Sequence, residues 1–264
     1  TLAERQNEFD IINNHCLGAG IPLLGYVKTH IVSTIHESLT KEAIQRITPF
    51  KKGNFISISY AQRKPLLDLN YVANIYNAID VNSYPMPTKP EEYLVFVGRI
   101  SWQKAPHLAI LTAKKLGMKL FILGKYKDKH LESEYYHKYF LPTLLDNKKN
   151  VEWLDEVDEK TVQKYFNKAI ASLHPLAYSE SFGLTLIEAM ASGCPVIAFN
   201  RGSIPEIIEN NKTGFIVEDV KEMIKAVSKI GTIDRNYCRS YTEKKFNIPR
   251  MIDEYLDTYS KILT

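Results

Sequence analysis

The chain has 264 residues, 45% of them hydrophobic and 24% charged, with 12 Gly, 12 Pro and 3 Cys. That apolar share excludes a disordered chain, and the lack of any long uncharged apolar run excludes a membrane span. A net charge of +4 makes no case for nucleic acid, and Cys16, Cys194 and Cys238 lie too far apart for a disulfide framework or a zinc site of ordinary spacing, so a reducing, cytoplasmic setting is expected.

In chain order, residues 1–88 read as a small parallel-sheet domain. Candidate strands are Phe9 to Asn13, His30 to Ile35, Asn54 to Ser59 and Val72 to Ile75, with a helix over roughly Leu39 to Ile47. Gly18-Ala19-Gly20 begins like a dinucleotide fingerprint, but Leu23 stands where its third glycine belongs. Four strands with few helices are thin for a doubly wound domain, and the chain opens on Thr1 with no signal peptide; a removed N-terminal piece is expected. Asp80 to Pro90, with Pro85, Pro87 and Pro90, reads as the interdomain linker.

Residues 91–247 alternate strand and helix, which implies a parallel sheet covered on both faces. The strand-length apolar runs are Leu94 to Val97, Leu120 to Leu123, Val151 to Leu154, Ala169 to Leu173, Val196 to Phe199 and Phe215 to Val217. One helix opens at Pro106 and stops before Gly117; another starts behind Asp158, a plausible N-cap. A third runs from about Gly183 to Ala191, with Ser181 as its N-cap candidate. Residues 248–264 form an amphipathic helix with Ile252, Tyr255, Leu256, Tyr259, Ile262 and Leu263 on one face, expected to return toward the first domain.

Ligands of open parallel sheets bind beyond the carboxyl ends of the strands. Gly98 and Arg99 follow the first strand of the second domain, with Lys104 close behind; Gly124 and Lys125 follow the second; a loop from His174 to Phe182 follows the fourth. Fixed cations near a helix N-terminus suit a diphosphate, although each cation alone is also what a solvated surface carries. The Gly183 helix is apolar all round its axis, yet Glu188 sits in its middle. A buried carboxylate needs a cation or a polar ligand cavity, so the alternatives for Glu188 are an internal salt bridge and a binding role. Gly183 lets the backbone approach a ligand, offering the N–H groups of Phe182, Gly183 and Leu184. No Walker A loop, HExxH, GxSxG or Asp-x-Asp is present.

The run from Glu180 through Glu188 to Ala198, ESFGLTLIEAMASGCPVIA, resembles the E-x7-E signature of the retaining glycosyltransferases of family 4, also called group 1, which have the GT-B fold. Val97-Gly98-Arg99 with Lys104 is similar to that family's phosphate motif. Ile204-Pro205-Glu206 with Thr213-Gly214-Phe215, Ile75 to Asp80, and Thr34-Ile35-His36 are similar to further family stretches. The resemblance implies two Rossmann-type parallel-sheet domains facing a cleft, the N-terminal one incomplete.

The resemblance also implies roles. Glu188 would hold the ribose hydroxyls, while Arg99 and Lys104 would hold the diphosphate with Gly98, Gly183, Leu184 and Thr185. Glu180 would contact the donor sugar, and His36 would reach it from the first domain. His15 would line the acceptor side, with a satisfied structural histidine as the equal alternative. Three residues depart from the family: Ala105 and Asp155 at frequent glycine positions of the donor domain, and Ala78 at one near the hinge.

The implied activity is metal-independent transfer of a hexose from a nucleotide diphosphate sugar, UDP-glucose as best guess, to an acceptor hydroxyl. The alternative is a catalytically incomplete nucleotide-sugar binding module. The expected partners are that donor and an unidentified saccharide, lipid-linked or small-molecule acceptor, with no cofactor, no metal and no nucleic acid, and with peripheral membrane contact left open.

Overall fold

The computed structural model describes residues 2–86, 90–127 and 130–264. Pro87, one of the linker prolines, lies outside the described residues. The chain divides into two compact units: Thr1–Ala78 with Glu180–Phe182 and Ile248–Thr264, and Ile79–Ser179 with Gly183–Asn247.

The first unit is built on four parallel strands, β1 (Ile11–Asn14), β2 (His30–Ile35), β3 (Asn54–Ser57) and β4 (Tyr71–Asn74), paired in that order. Phe9, expected at the start of the first strand, lies ahead of it and is exposed. One layer of apolar side chains joins Ile35 and Phe55 to Ala43 and Ile47 of the Lys41–Ile47 helix. Thr40 caps that helix, its hydroxyl accepting from the Ala43 N–H at 3.3 Å.

A second layer, Val32, Ile56 and Ile75, is covered by Met251, Tyr255, Tyr259 and Ile262 of the Ile248–Leu263 helix. Tyr255, Tyr259 and Ile262 thus take their expected places, but Ile252, Leu256 and Leu263 do not. Those three are 47%, 56% and 47% exposed. Each residue turns the helix by about 100°, so the seam follows the row through Met251 and leaves the next row in solvent.

The second unit has six parallel strands: β5 (Tyr93–Val97), β6 (Lys119–Leu123), β7 (Val151–Trp153), β8 (Ala171–His174), β9 (Val196–Phe199) and β10 (Gly214–Val217). Their order is β10-β9-β8-β5-β6-β7, so the winding reverses between β5 and β8. The Pro106–Leu116 helix ends at Gly117, whose φ of 65° supplies the left-handed C-cap. Asp158 caps the Glu159–Lys168 helix by accepting from the Thr161 N–H at 2.7 Å.

The Leu184–Ala191 helix buries Leu186, Ile187, Ala189, Met190 and Ala191. Its N-cap is Gly183, at φ 92°, and not Ser181. The left-handed residue turns the chain just ahead of the first turn, and the Ser181 hydroxyl bonds Ser38 Oγ at 2.9 Å instead. Its carbonyl accepts from Ser59 Oγ at 2.6 Å.

The stretch from Asp80 to Met86 is not a free connector. Ile79 forms a parallel bridge to Asn247, and Val81 and Tyr84 pack on Ala191. The Arg239 guanidinium donates to the carbonyls of Tyr84 and Ala191. These contacts draw the segment into the second unit, which is why the division falls between Ala78 and Ile79.

Candidate functional site

The reversal of strand order places the carboxyl ends of β5 and β8 side by side, the position where an open parallel sheet receives ligands. The loop after β5 is tied to both neighbours. The Gly98 N–H donates to Leu123 O at 2.9 Å, the Ile100 N–H to Lys125 O at 3.0 Å, and Gln103 O accepts from the Ala177 N–H at 2.9 Å. Arg99 and Lys104 are therefore carried on a loop braced from the β6 side and the β8 side. The Arg99 guanidinium reaches Gln103 Oε1 at 3.5 Å, and the Lys104 ammonium lies 5.3 Å from the centre of the Tyr178 ring.

His174 closes β8 and is buried, with Nε2 2.8 Å from Ser172 Oγ. Burial and then the charge of Lys104 push it down to about 3, so it is a neutral imidazole beside a fixed cation. It supplies shape and a hydrogen bond, not charge.

Gly124 follows β6 at φ 153°, and a Cβ there would stand 1.9 Å from Gly98 O. Only glycine lets these two loops meet. Beside them is a cavity of about 230 Å³ lined by Gly98, Arg99, Gly124, Lys125, Glu156 and Val157, among others. Lys125 and Glu156 form an ion pair at this cavity. Glu156 and Val157 line this cavity but were not singled out from the sequence, which was read after β5, β6 and β8 and not after β7. The rule that drew attention to Arg99 applies equally to that loop once β7 lies beside β6.

Gly183, Leu184, Thr185 and Glu188 share the helix that follows β8. No side chain caps its N-terminus, and of its first turn the Leu186 N–H donates to Gly183 O at 3.0 Å. Glu188 is partly buried and pairs with no cation among the described residues. Burial first, and the nearby Glu159 charge second, raise it to about 7. The same two carboxylates add to burial in raising the Tyr84 hydroxyl, which donates to Glu159 Oε1 at 3.4 Å.

The remaining residues belong to the first unit. Glu180 and Phe182 are buried, the Phe182 ring 6.1 Å from that of Tyr76. His15 follows β1 and His36 follows β2, and His15 Nδ1 lies 2.7 Å from His36 Nε2. The structure thus gathers Gly98, Arg99 and Lys104 at the strand reversal, sets Gly183 to Glu188 on one helix, and joins His15 to His36. Among the described residues, no group of three or more His, Cys, Asp or Glu side chains is placed to hold a metal ion.

Residues 85–245 match the family profile described as glycosyl transferases group 1. An uncharacterized 41.2 kDa protein of the cps region of Klebsiella pneumoniae is 25% identical over 97% of this chain and 80% of its own length. A D-inositol 3-phosphate glycosyltransferase of Mycobacteroides abscessus is 32% identical over 48% of this chain, a stretch that is only 28% of that protein. Among solved structures, Anabaena HepE in complex with UDP superposes with a TM-score of 0.86 at 17% identity, covering 98% of this chain and 81% of that one. Its complex with UDP-glucose gives 0.83 at 17% identity, covering 98% and 81%. Sucrose-phosphate synthase of Thermosynechococcus elongatus gives 0.79 at 19% identity, covering 98% and 75%. At these identities the structural likenesses establish the GT-B fold.

Proposed function

The chain belongs to the group 1 glycosyl transferases, and on that premise we propose that it moves a hexose from a nucleotide diphosphate sugar to an acceptor hydroxyl with retention of configuration. The observation that carries the reading is Glu188, a partly buried carboxylate that pairs with no cation among the described residues, on the uncapped helix that follows the strand reversal. With no internal salt bridge to it among the described residues, a polar ligand is the partner that this reading gives it. Ionised Glu188 accepts from both ribose hydroxyls, while Arg99 and Lys104 hold the diphosphate. The cavity beside Arg99 receives the base. UDP-glucose is the favoured donor, supported by the HepE complexes with UDP and UDP-glucose.

In the transfer, the bond from the sugar C1 to the phosphate oxygen breaks and negative charge grows on the departing diphosphate. In this reading Arg99, Lys104 and the first-turn N–H groups meet that charge as fixed groups, so little reorganisation is needed as it develops. The acceptor oxygen attacks the same face, and its proton passes to the leaving phosphate. Glu180 and His36 orient the sugar hydroxyls, and Glu180 is not a nucleophile here. Fixed protein cations do the electrostatic work that this scheme requires.

Calorimetric titration with UDP-glucose tests the assignment. Arg99→Ala and Glu188→Ala should each weaken binding about tenfold or more, the loss of one charge-assisted contact. Wild-type affinity in both variants would show that the nucleotide sugar binds elsewhere.

A further inference from the structure

At the carboxyl edge of the first unit's sheet, two imidazoles are bonded to each other. β1 and β2 are adjacent parallel strands with Asn14 opposite Ser33, so the residues just beyond them emerge together. His15 Nδ1 lies 2.7 Å from His36 Nε2, with ring centres 5.0 Å apart and planes inclined by 20°. The backbone on the His15 side is pinned by Asn14, whose carboxamide donates to Ser33 Oγ and accepts from the Cys16 N–H, both at 3.0 Å. From the Ile248–Leu263 helix, the Tyr255 ring stands 6.2 Å from that of His15, and the Tyr255 hydroxyl bonds Thr34 Oγ1 at 3.0 Å.

A neutral pair of imidazoles has four ring nitrogens and two N–H protons, and a bond between the rings places one of those protons in the bridge. Whichever ring donates, the bridge uses His36 Nε2 and leaves only His36 Nδ1 for anything else. If His15 donates, His36 Nδ1 carries the other proton and is a donor; if His36 donates, Nδ1 is an acceptor. The neighbour therefore fixes what His36 offers, as second partners of histidines do elsewhere.

We propose that His15 is a positioning residue for His36: the bridge from His15 Nδ1 to His36 Nε2 holds the His36 ring and selects the tautomer it presents to the donor sugar. This rests on the sugar contact assigned to His36 above. Burial holds both imidazoles below the ordinary histidine range, and the charge of His15 holds His36 down further. The titratable groups of this unit nearby include the buried Glu180, next to Ser181, whose hydroxyl bonds Ser38 Oγ at 2.9 Å. Tyr255 is bonded to Thr34, Glu37 is engaged by Arg46 at 3.5 Å, and Cys16 is an exposed free thiol. The pair is neutral at pH 7. A first proton taken up in acid leaves the bridge intact, and a second puts hydrogens on both bridging nitrogens and breaks it.

The test uses the full chain with 15N-labelled histidine. Ring 15N shifts should show His36 in one tautomer, with the two histidines titrating in coupled steps. His15→Ala should release His36 to a mixture of tautomers and a single step at higher pH. His15→Asn keeps a polar group near the Nδ1 position and should hold one tautomer while also titrating in a single step. In turnover of UDP-glucose, by transfer or hydrolysis, His15→Ala should lower kcat about tenfold with KM nearly unchanged. His15→Asn should recover most of that loss, and both variants should lose one step from the acid limb of the pH profile. Unchanged His36 shifts and titration in His15→Ala overturn the pairing, whatever the activity. A bridge lost in His15→Ala with kcat and pH profile unchanged overturns the positioning role. A bridge intact in the wild type, with His36→Ala turning over at the wild-type rate, overturns the sugar contact of His36 and leaves the pair itself standing.

Discussion

Glu188 is held where its neutral form is the better fit, and that has a measurable cost. Its folded pKa of about 7 stands above the 4.5 of a free carboxyl. Between those values the folded chain keeps a proton that the unfolded chain has released, so stability falls as pH rises through that window. Glu188→Gln removes the effect. In the absence of nucleotide the variant should unfold at higher denaturant than the wild type at pH 8, by about 2 kcal/mol, and the two should converge by pH 4. The same variant should bind UDP-glucose more weakly. Binding that selects the ionised carboxylate should also release protons near pH 6.5, read as a buffer-dependent heat in calorimetry.

The partly buried setting of Glu188 was legible from its place in a helix that is apolar all round; that no described residue gives it a cation was not, because a partner can come from anywhere in the chain. The backbone of two family departures was equally hidden. Ala105 and Asp155 sit at φ 48° and 54°, in the left-handed region that favours glycine. Aspartate tolerates that region better than alanine does. Ala105→Gly should therefore raise stability by about 0.5 kcal/mol, the relief of strain exceeding the added freedom of the unfolded chain, as read from a denaturation midpoint. Ala78, the third departure, has no such backbone and carries no such strain.

At the scale of elements, helix ends and strand runs were read well because their signals are local: Pro106 and Gly117 bound one helix, and Asp158 caps another. The covered face of the Ile248–Leu263 helix was read only in part. Two apolar rows run along it, and periodicity alone does not say which one meets the sheet. Met251→Ala should cost about 1–2 kcal/mol, since Met251 packs on Val32, Ile56 and Ile75, whereas Leu256→Ser should change stability by less than about 0.5 kcal/mol. Gly124→Ala probes the other unit. A methyl group 1.9 Å from a backbone oxygen has nowhere to go, so the loops after β5 and β6 must part. Lost nucleotide binding should accompany the lost stability, with both measured on the same preparation.

For the whole molecule, two sheets with separate cores imply two partly independent transitions. A nucleotide held by residues of the second unit stabilises that unit by mass action, so differential scanning calorimetry with UDP should move one transition more than the other. A chain ending at Asn247 uncovers Val32, Ile56 and Ile75. It should lose the first unit's transition and keep the second.

The amino-acid sequence by itself determined the alternation of strand and helix in the second unit, the helix ends, and the spacing of Glu180, Glu188, Arg99 and Lys104 that marks the family. Apolar period, caps and motif spacing are properties of neighbouring residues, and they survive without knowledge of the rest. Only the tertiary structure decided that β5 lies beside β8, that Glu188 meets no cation among the described residues, that Asp80 to Met86 packs on the second unit, and that His15 meets His36. Each of those is a contact between parts of the chain far apart in sequence, chosen by packing.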